Sequence, residues 1–215
     1  MGWQRARQPG QKAERVDSIL NAARSLFDEK ELLEISMRDV AERSGLGKAS
    51  LYHYFKTKEE VFISLYGAEL QDWLVDVEAR FSRLRKPTPE RVAKSLTDAL
   101  RERTRFCRLA VMFSAVLEHN LAADFVRDFK LSLLPPIGRF AELLREVLPG
   151  VSMASIEDFL FQHHAIVAGL WPLANPAPVV ESVLQSPELQ VFRIDFYALF
   201  ERTMKQLLKS ANAGP

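Results

Sequence analysis

The chain has 215 residues, of which 47% are apolar and 27% charged, and its formal net charge is +1. That size suits one moderate domain, or a small one joined to a larger one, with enough apolar residues to fill a core. The single cysteine, Cys107, excludes an intramolecular disulfide, and without a CxxC or a Cys/His cluster there is no zinc signature. No run approaches the roughly 18 uninterrupted apolar residues of a membrane span, and the opening GWQRARQPGQK lacks the apolar core of a signal peptide. The expected location is a reducing cytoplasm, with no membrane partner.

Apolar residues recur at three- and four-residue spacing throughout, with no sustained alternation, so an all-α fold is expected, of about nine helices. The first helix, from about Lys12 to Lys30, puts Val16, Ile19, Leu20, Ala23, Leu26 and Phe27 on one stripe. Ser36 caps a second, short helix, with Asp39 in capping-box register, and Gly45 supplies the turn that follows. A third, from Lys48 to Tyr54, is too short to stand alone and has one inward anchor, Leu51. Leu33, Ile35, Val40, Leu46, Leu51 and Phe55 complete a small core with the first helix.

Thr57 opens a long helix, with Glu60 in capping-box position, whose apolar stripe continues to Leu84 before Lys86-Pro87-Thr88-Pro89 stops it. At roughly 40 Å it is long enough to link a small head to a separate body. Helices are then expected from Pro89 to about Arg103, from Phe106 to Glu118, and from Leu121 to Leu148 with a kink or break at Pro135-Pro136. Two more run from about Ser152 to Ala174 and Glu188 to Ser210, around the proline-rich NPAPVVESVLQSP. Both are apolar on more than one side, and the surplus is best buried against a second copy in a two-fold four-helix arrangement, through Phe159, Ala165, Ala168, Phe192, Phe196 and Phe200.

The stretch from Ser36 to Lys58, SMRDVAERSGLGKASLYHYFKTK, carries the chemistry. Hydroxyls, an ammonium and aromatic edges, on a helix thin enough for a major groove, fit double-stranded DNA better than other partners. The basic excess lies with it: residues 1 to 58 hold 11 Lys and Arg against 8 Asp and Glu, so the remainder is slightly acidic. Tyr52 and Tyr54 could instead pack the head, but Leu51 and Phe55 already occupy the inward positions four apart.

Together with IL-AA--LF over residues 19 to 27, the segment SMRDVAERSGLGKASLYHYFKTKEEVF over residues 36 to 62 resembles the DNA-binding region of the TetR family of bacterial transcriptional regulators. The resemblance covers roughly the first 60 residues, the rest being similar in size and helical plan. It implies a helix-turn-helix DNA-binding domain with a basic N-terminal arm over residues 1–57 and a helical effector-binding and dimerisation domain over 58–215. It further implies a homodimer on a palindromic operator, usually a repressor, released by a hydrophobic or amphipathic small-molecule effector. Carried over by position, it makes Arg38, Lys48, Ala49 and Tyr52 groove readers, and Met37, Ser50, His53, Tyr54 and Lys58 phosphate neighbours. Two positions depart from the family: Gly47 stands where a capping hydroxyl is usual, and Ala49 where glycine is frequent.

For the effector, Phe81, Met112, Phe113, Phe129, Phe140 and Trp171 are candidate cavity walls, with His119 or His164 as a polar fixture; ordinary core is the competing reading for each. Adjacent residues His163 and His164 point in different directions on a helix and share no metal-ligand spacing with a carboxylate or cysteine. His119 beside Glu118 comes with no nucleophile motif, and nothing calls for a cofactor or catalysis. Cys107 reads as a small buried hydrophobe. Two other classes remain open: an architectural or occupancy factor without an effector, and a helical enzyme or carrier with an interaction head.

Overall fold

Side-chain caps open the helices that follow Ser36, Thr57, Thr88 and Ser152. A computed structural model describes residues 9–115 and 121–213, with ten α-helices and no strand among the described residues. Helix α1 (Pro9–Glu29) leads through a 3-10 turn (Leu32–Glu34) to α2 (Met37–Ser44) and α3 (Lys48–Tyr54). Ile19, Ala23, Leu26 and Phe27 of α1 are buried against Val40 and Ala41 of α2, Leu51 of α3 and Phe55. Leu33, assigned to this core by its type, is 82% exposed, because the 3-10 turn directs Leu32 inward instead.

Helix α4 (Lys58–Phe81) begins beside that core and continues beyond it. Its 24 residues span about 36 Å, one turn short of the expected end at Leu84. Thr57 Oγ1 accepts from Glu60 N–H at 3.2 Å, as the capping signal predicts, but the Glu60 carboxylate reaches Lys56 N–H rather than closing a box on Thr57. The phenyl rings of Phe27 and Phe62 meet at 5.6 Å, joining α1 to α4.

The other helices are α5 (Pro89–Leu100), α6 (Thr104–Ala115), α7 (Ala123–Val147), α8 (Met153–Ala174), α9 (Pro178–Val183) and α10 (Phe196–Ala213). Around α4 pack α5, α6 and α7; α8 lies on α6, and α10 closes the bundle against α5 and α8. Several expected boundaries change. Helix α7 is continuous from Ala123 to Val147 with Pro135 and Pro136 inside it. Each proline removes one ladder N–H, and packing of Phe129, Phe140 and Leu144 holds the helix across the loss. Helix α6 starts two residues before the expected Phe106, at Thr104. The last helix starts at Phe196 rather than Glu188: Asp195 Oδ1 accepts from Ala198 N–H at 3.0 Å and sets the start, while Pro187–Phe192 is a separate 3-10 segment. Of the basic arm, Arg5 and Arg7 lie outside the described residues, and Lys12 sits on the exposed start of α1.

Arginines tie α1 to the rest. Glu69 of α4, with a side chain 6% exposed, accepts from Arg24 Nε of α1 at 2.8 Å and from Arg105 Nη1 of α6 at 3.1 Å. Arg105 also pairs with Asp28. Arg108, one turn on, donates to the Phe27 carbonyl at 2.7 Å and lies 4.2 Å over the Phe27 ring. The C-terminal carbonyls of α1 thus receive cations, as the helix dipole favours.

Candidate nucleic-acid interface

Helix α2 is closed at both ends by its own sequence. Ser36 Oγ accepts from Asp39 N–H at 3.2 Å while the Asp39 carboxylate accepts from Ser36 N–H at 2.8 Å, a reciprocal box, and the Ser36 hydroxyl donating to that carboxylate at 2.6 Å, with the Ser36 N–H, holds the Asp39 carboxyl below its usual range. At the other end Gly45 adopts φ 70°, and Leu46 N–H returns to the Ala41 carbonyl at 3.0 Å. That left-handed residue is what lets α3 cross α2. Arg43 forks onto Glu29 of α1 with both nitrogens at 2.8 Å and fixes α2 against α1.

Helix α3 then hangs on Leu51, which is fully buried, and on Phe55 at its C-cap. Lys48, Ala49, Ser50, Tyr52 and His53 are exposed and Tyr54 is half-buried. Lys48 Nζ lies 5.9 Å from the Tyr52 ring centre, and Tyr54 meets His53 edge-on at 5.6 Å. No acidic side chain interrupts this helix. Lys56 Nζ donates to the Tyr52 carbonyl at 2.7 Å and adds a cation at its end. Gly47 caps α3 without a side-chain bond, at φ −66°, a conformation open to any residue.

Arg38 and Lys58, both sequence-derived members, engage groups of the chain itself. Arg38 pairs with Glu42 at 2.7 Å, but at 81% and 63% side-chain exposure the pair is easily exchanged for another anion. Lys58 is more committed: its ammonium donates at 3.1 Å to both the Leu32 and Ile35 carbonyls, so two of its three N–H groups hold the 3-10 turn. Composition did not signal this role, since the carbonyls come from a turn 23 and 26 residues upstream. Met37 is half-buried at the first turn of α2.

Residues 19–65 match the family model described as bacterial regulatory proteins, tetR family, and residues 67–213 match the tetracyclin repressor-like C-terminal domain. The chain belongs to the TetR family. It is thus a DNA-binding transcriptional regulator with an N-terminal helix-turn-helix and a helical C-terminal domain. Similar curated proteins include the HTH-type transcriptional repressor KstR2 of Mycolicibacterium smegmatis, 36% identical over 66 residues, or 31% of this chain and 32% of that one. The alignment thus spans about a third of that repressor. The HTH-type transcriptional regulator BetI of Agrobacterium fabrum is 28% identical over 195 residues, covering 80% of this chain and 87% of that one. Among solved structures, the fatty acid degradation regulator FadR of Bacillus halodurans superposes with a TM-score of 0.58 at 16% identity, over 90% of this chain and 94% of that one. A TetR transcriptional regulator of Rhodococcus sp. RHA1 gives 0.59 at 17% identity, over 92% and 97%. These structures share the fold.

In this TetR-family chain the sequence-derived cavity residues divide. Phe113, Phe129 and His164 come together: Phe113 lies 5.8 Å from both Phe129 and His164, and Tyr66, which composition did not single out, sits 4.7 Å from Phe113 and bonds His164 Nδ1 through its hydroxyl at 3.2 Å. Met112 is half-buried next to Phe113 in sequence. Burial pushes the Tyr66 phenol well above its ordinary range. Phe140 belongs to a second group, with Trp73, Phe159 and His163. Trp171 packs on Phe196 at 4.9 Å, between α8 and α10, and Phe81 is buried at the end of α4 with no aromatic contact to either group. His119 lies outside the described residues.

The residues expected between two copies also need correction. Phe159, Phe196 and Phe200 are 2%, 4% and 0% exposed within one protomer, where Phe159 packs on Phe140 of α7 while Phe196 and Phe200 pack on Trp171 and His163 of α8, and they leave no surface for a partner. Ala165 is exposed, Ala168 half-buried, and Phe192 is 62% exposed on the 3-10 segment rather than on the last helix. Hydrophobic type alone did not distinguish the inner from the outer side of an all-round apolar helix. The outer stripe of α8 is instead Phe161, Ala165, Gly169 and Leu173, at four-residue spacing and all exposed.

Proposed function

We propose that the protein is a homodimeric repressor that binds a palindromic operator and is released by a hydrophobic or amphipathic small molecule. Residues 1–57 form the DNA-binding head and 58–215 the effector-binding, dimerising body. The observation that carries the reading is α3 itself: a short helix held by Leu51, with Lys48, Ala49, Ser50, Tyr52 and His53 facing out and no acidic residue among them. Lys48 donates to guanine O6 and N7, the Ala49 methyl meets a thymine methyl, and Arg38 and Tyr52 flank them. Met37, Ser50, His53 and Tyr54 lie along phosphates, and Lys58 offers its remaining N–H while anchoring the turn.

Dimerisation through α8 and α10 is supported by the outward stripe of α8, where Phe161 is 78% and Leu173 57% exposed around Ala165 and Gly169. Large apolar groups flanking small ones allow close helix approach. The effector enters beside α4, near Phe113, Phe129, Phe140 and His164. Because α4 and the Arg24–Glu69–Arg105 cluster join body to head, a shift of α4 or α6 changes the head spacing. Release requires that the ligand bind the DNA-free arrangement more tightly, by about 5 kcal/mol for a near-complete switch.

Footprinting on a promoter-proximal palindrome, with and without a metabolite panel, tests the reading. Specific protection that Lys48→Ala or Tyr52→Phe weakens is the expected result; protection unaffected by both would refute α3 as the reader. A second reading, occupancy without an effector, is favoured by the tight aromatic packing of the body, and a panel that neither raises the melting temperature nor weakens operator binding would select it.

A further inference from the structure

Between α8 and α10 the chain buries nothing: none of residues 172–195 is buried, although the stretch folds into α9 and the 3-10 segment Pro187–Phe192. Local signals build it. Pro178 and Pro187 stand in the first turns, Glu181 N–H donates to the Ala177 carbonyl at 3.0 Å, and Ser182 Oγ donates to the Val179 carbonyl at 2.8 Å. Neither α9 nor the 3-10 segment packs extensively on another element. Among the described residues no side-chain hydrogen bond or ion pair ties residues 176–194 to the rest of the protomer. A helix of 6 residues does not persist in water by itself, so this one needs a cover that its own protomer does not supply.

The surface it presents is apolar. Val179, Val180 and Val183 of α9 and Val191 and Phe192 of the 3-10 segment are all exposed, Val179 at 71% and Val191 at 82%. The charges among them, Glu181, Glu188, Arg193 and Asp195, are acidic on balance, which disfavours a nucleic acid or an anionic membrane as the cover. Leu173, in the last turn of α8, makes this patch continuous along the chain with the outer stripe of that helix. The stripe alone is too small to hold two protomers. A standard interface takes about 20–30 residues and about 800 Å² from each partner, whereas the stripe offers Phe161 and Leu173 around small Ala165 and Gly169. Helix α10 adds no exposed large apolar residue, and its exposed positions include Arg202, Gln206 and Lys209. The uncovered segment beside the stripe provides the missing apolar surface.

We propose that residues 175–195 form an arm that packs on a second copy of this chain, in continuity with the outer stripe of α8, and supplies the larger share of the apolar contact between the two protomers. The arm rests on the homodimer reading and deepens it. Helix α10 uses its large apolar groups, Phe196, Phe200, Met204 and Leu208, inside its own protomer, so the joining surface is α8 and the segment that follows it. A two-fold interface is self-complementary, so each copy both lends an arm and receives one.

Sedimentation velocity of the full chain over a concentration series tests the arm. The variants are Val191→Asp with Phe192→Asp, Phe161→Asp, and, as a control, Leu134→Asp on the exposed side of α7. All these side chains are exposed within one protomer, so each variant should keep the circular dichroism of the wild type. The wild type is expected to dimerise, and the arm variant to raise the dimer dissociation constant about a hundredfold, since both copies lose Val191 and Phe192. Phe161→Asp should weaken the dimer as well, and Leu134→Asp should leave it within about twofold. Hydrogen exchange supplies a readout without mutation: amides of residues 178–192 should gain protection as the wild-type concentration rises through the dimerisation range. A wild type that stays monomeric refutes the homodimer reading and the arm with it. A wild-type dimer that the arm variant leaves intact, that Leu134→Asp weakens equally, or whose 178–192 amides gain no protection refutes the arm alone, and the patch then belongs to a different partner protein.

Discussion

Replacing Arg105 with Met removes the cation that joins α6 to both α4 and α1 but keeps much of the apolar stem. In the structure Glu69 is left with Arg24 as its remaining arginine partner, at 2.8 Å, and its carboxylate stays buried with a side chain 6% exposed. A hydrogen bond to a charged group contributes about 1.5–3 kcal/mol, while the half-exposed Arg105–Asp28 pair adds less than about 1 kcal/mol. Arg105→Met should therefore cost about 2–3 kcal/mol, a fall in melting temperature of about 5–10 °C for a chain of this size. Thermal and urea melts at pH 7 and fixed protein concentration measure it, since self-association makes the midpoint concentration-dependent. Asp28→Asn is the control and should cost under about 1 kcal/mol. In a double-mutant cycle with Glu69→Gln the coupling should be about 1–3 kcal/mol, because the neutral amide no longer needs the cation. A loss below about 0.5 kcal/mol for Arg105→Met, or strict additivity with Glu69→Gln, would refute the assignment of Arg105 as the partner that Glu69 requires.

Further outcomes are expected. Gly45→Ala should cost about 1–2 kcal/mol in a urea melt because its φ is 70°, whereas Gly47→Ser should be neutral or stabilising by a few tenths of a kcal/mol, since a Cβ there meets nothing within 4 Å. Burial, aided by the charge of His164, pushes His163 down to about 3 from 6.5. The unfolded chain then binds the extra proton first, so the stabilising contribution is complete above pH 6.5 and lost as pH falls towards 3. Wild type should lose stability relative to His163→Phe between pH 7 and 5, at a slope approaching 1.4 kcal/mol per pH unit, and parallel pH profiles would contradict it. Lys48→Ala, which removes the proposed donor to guanine O6 and N7, should weaken operator binding by about 1–3 kcal/mol and relax specificity at that base pair. Lys58→Ala should in addition destabilise the fold by about 1–2 kcal/mol, because the Leu32 and Ile35 carbonyls lose their donor.

Local rules made much of the reader legible in advance. The Ser36–Asp39 box, the left-handed Gly45 and the Thr57 cap are short-range devices, each specified by residues within four positions, and all three occupy the places their spacing predicts. Leu51 as the single inward anchor of α3 follows from the same periodicity. Where two local signals competed, the pattern misled: the apolar residues from Leu189 to Ile194 continue a helical spacing, but Pro187 and the Asp195 cap divide that stretch from α10. Likewise two prolines predicted a kink or break in α7, and packing along α4 keeps the helix continuous through them.

By itself, then, the sequence determined the helical class, the helix-turn-helix and the outward side of α3, because capping, turn chemistry and a 3.6-residue period act over a few residues. Tertiary structure decided which apolar groups are spent inside one protomer, as with Phe159, Phe196 and Phe200, and which stand outside, as with Phe161 and Leu173. It also decided that Lys58 grips a distant turn, that Glu69 is buried between two arginines, and that the Trp73 and His163 rings meet in the core. Those are contacts between residues 23 to 90 positions apart, and no local period encodes them.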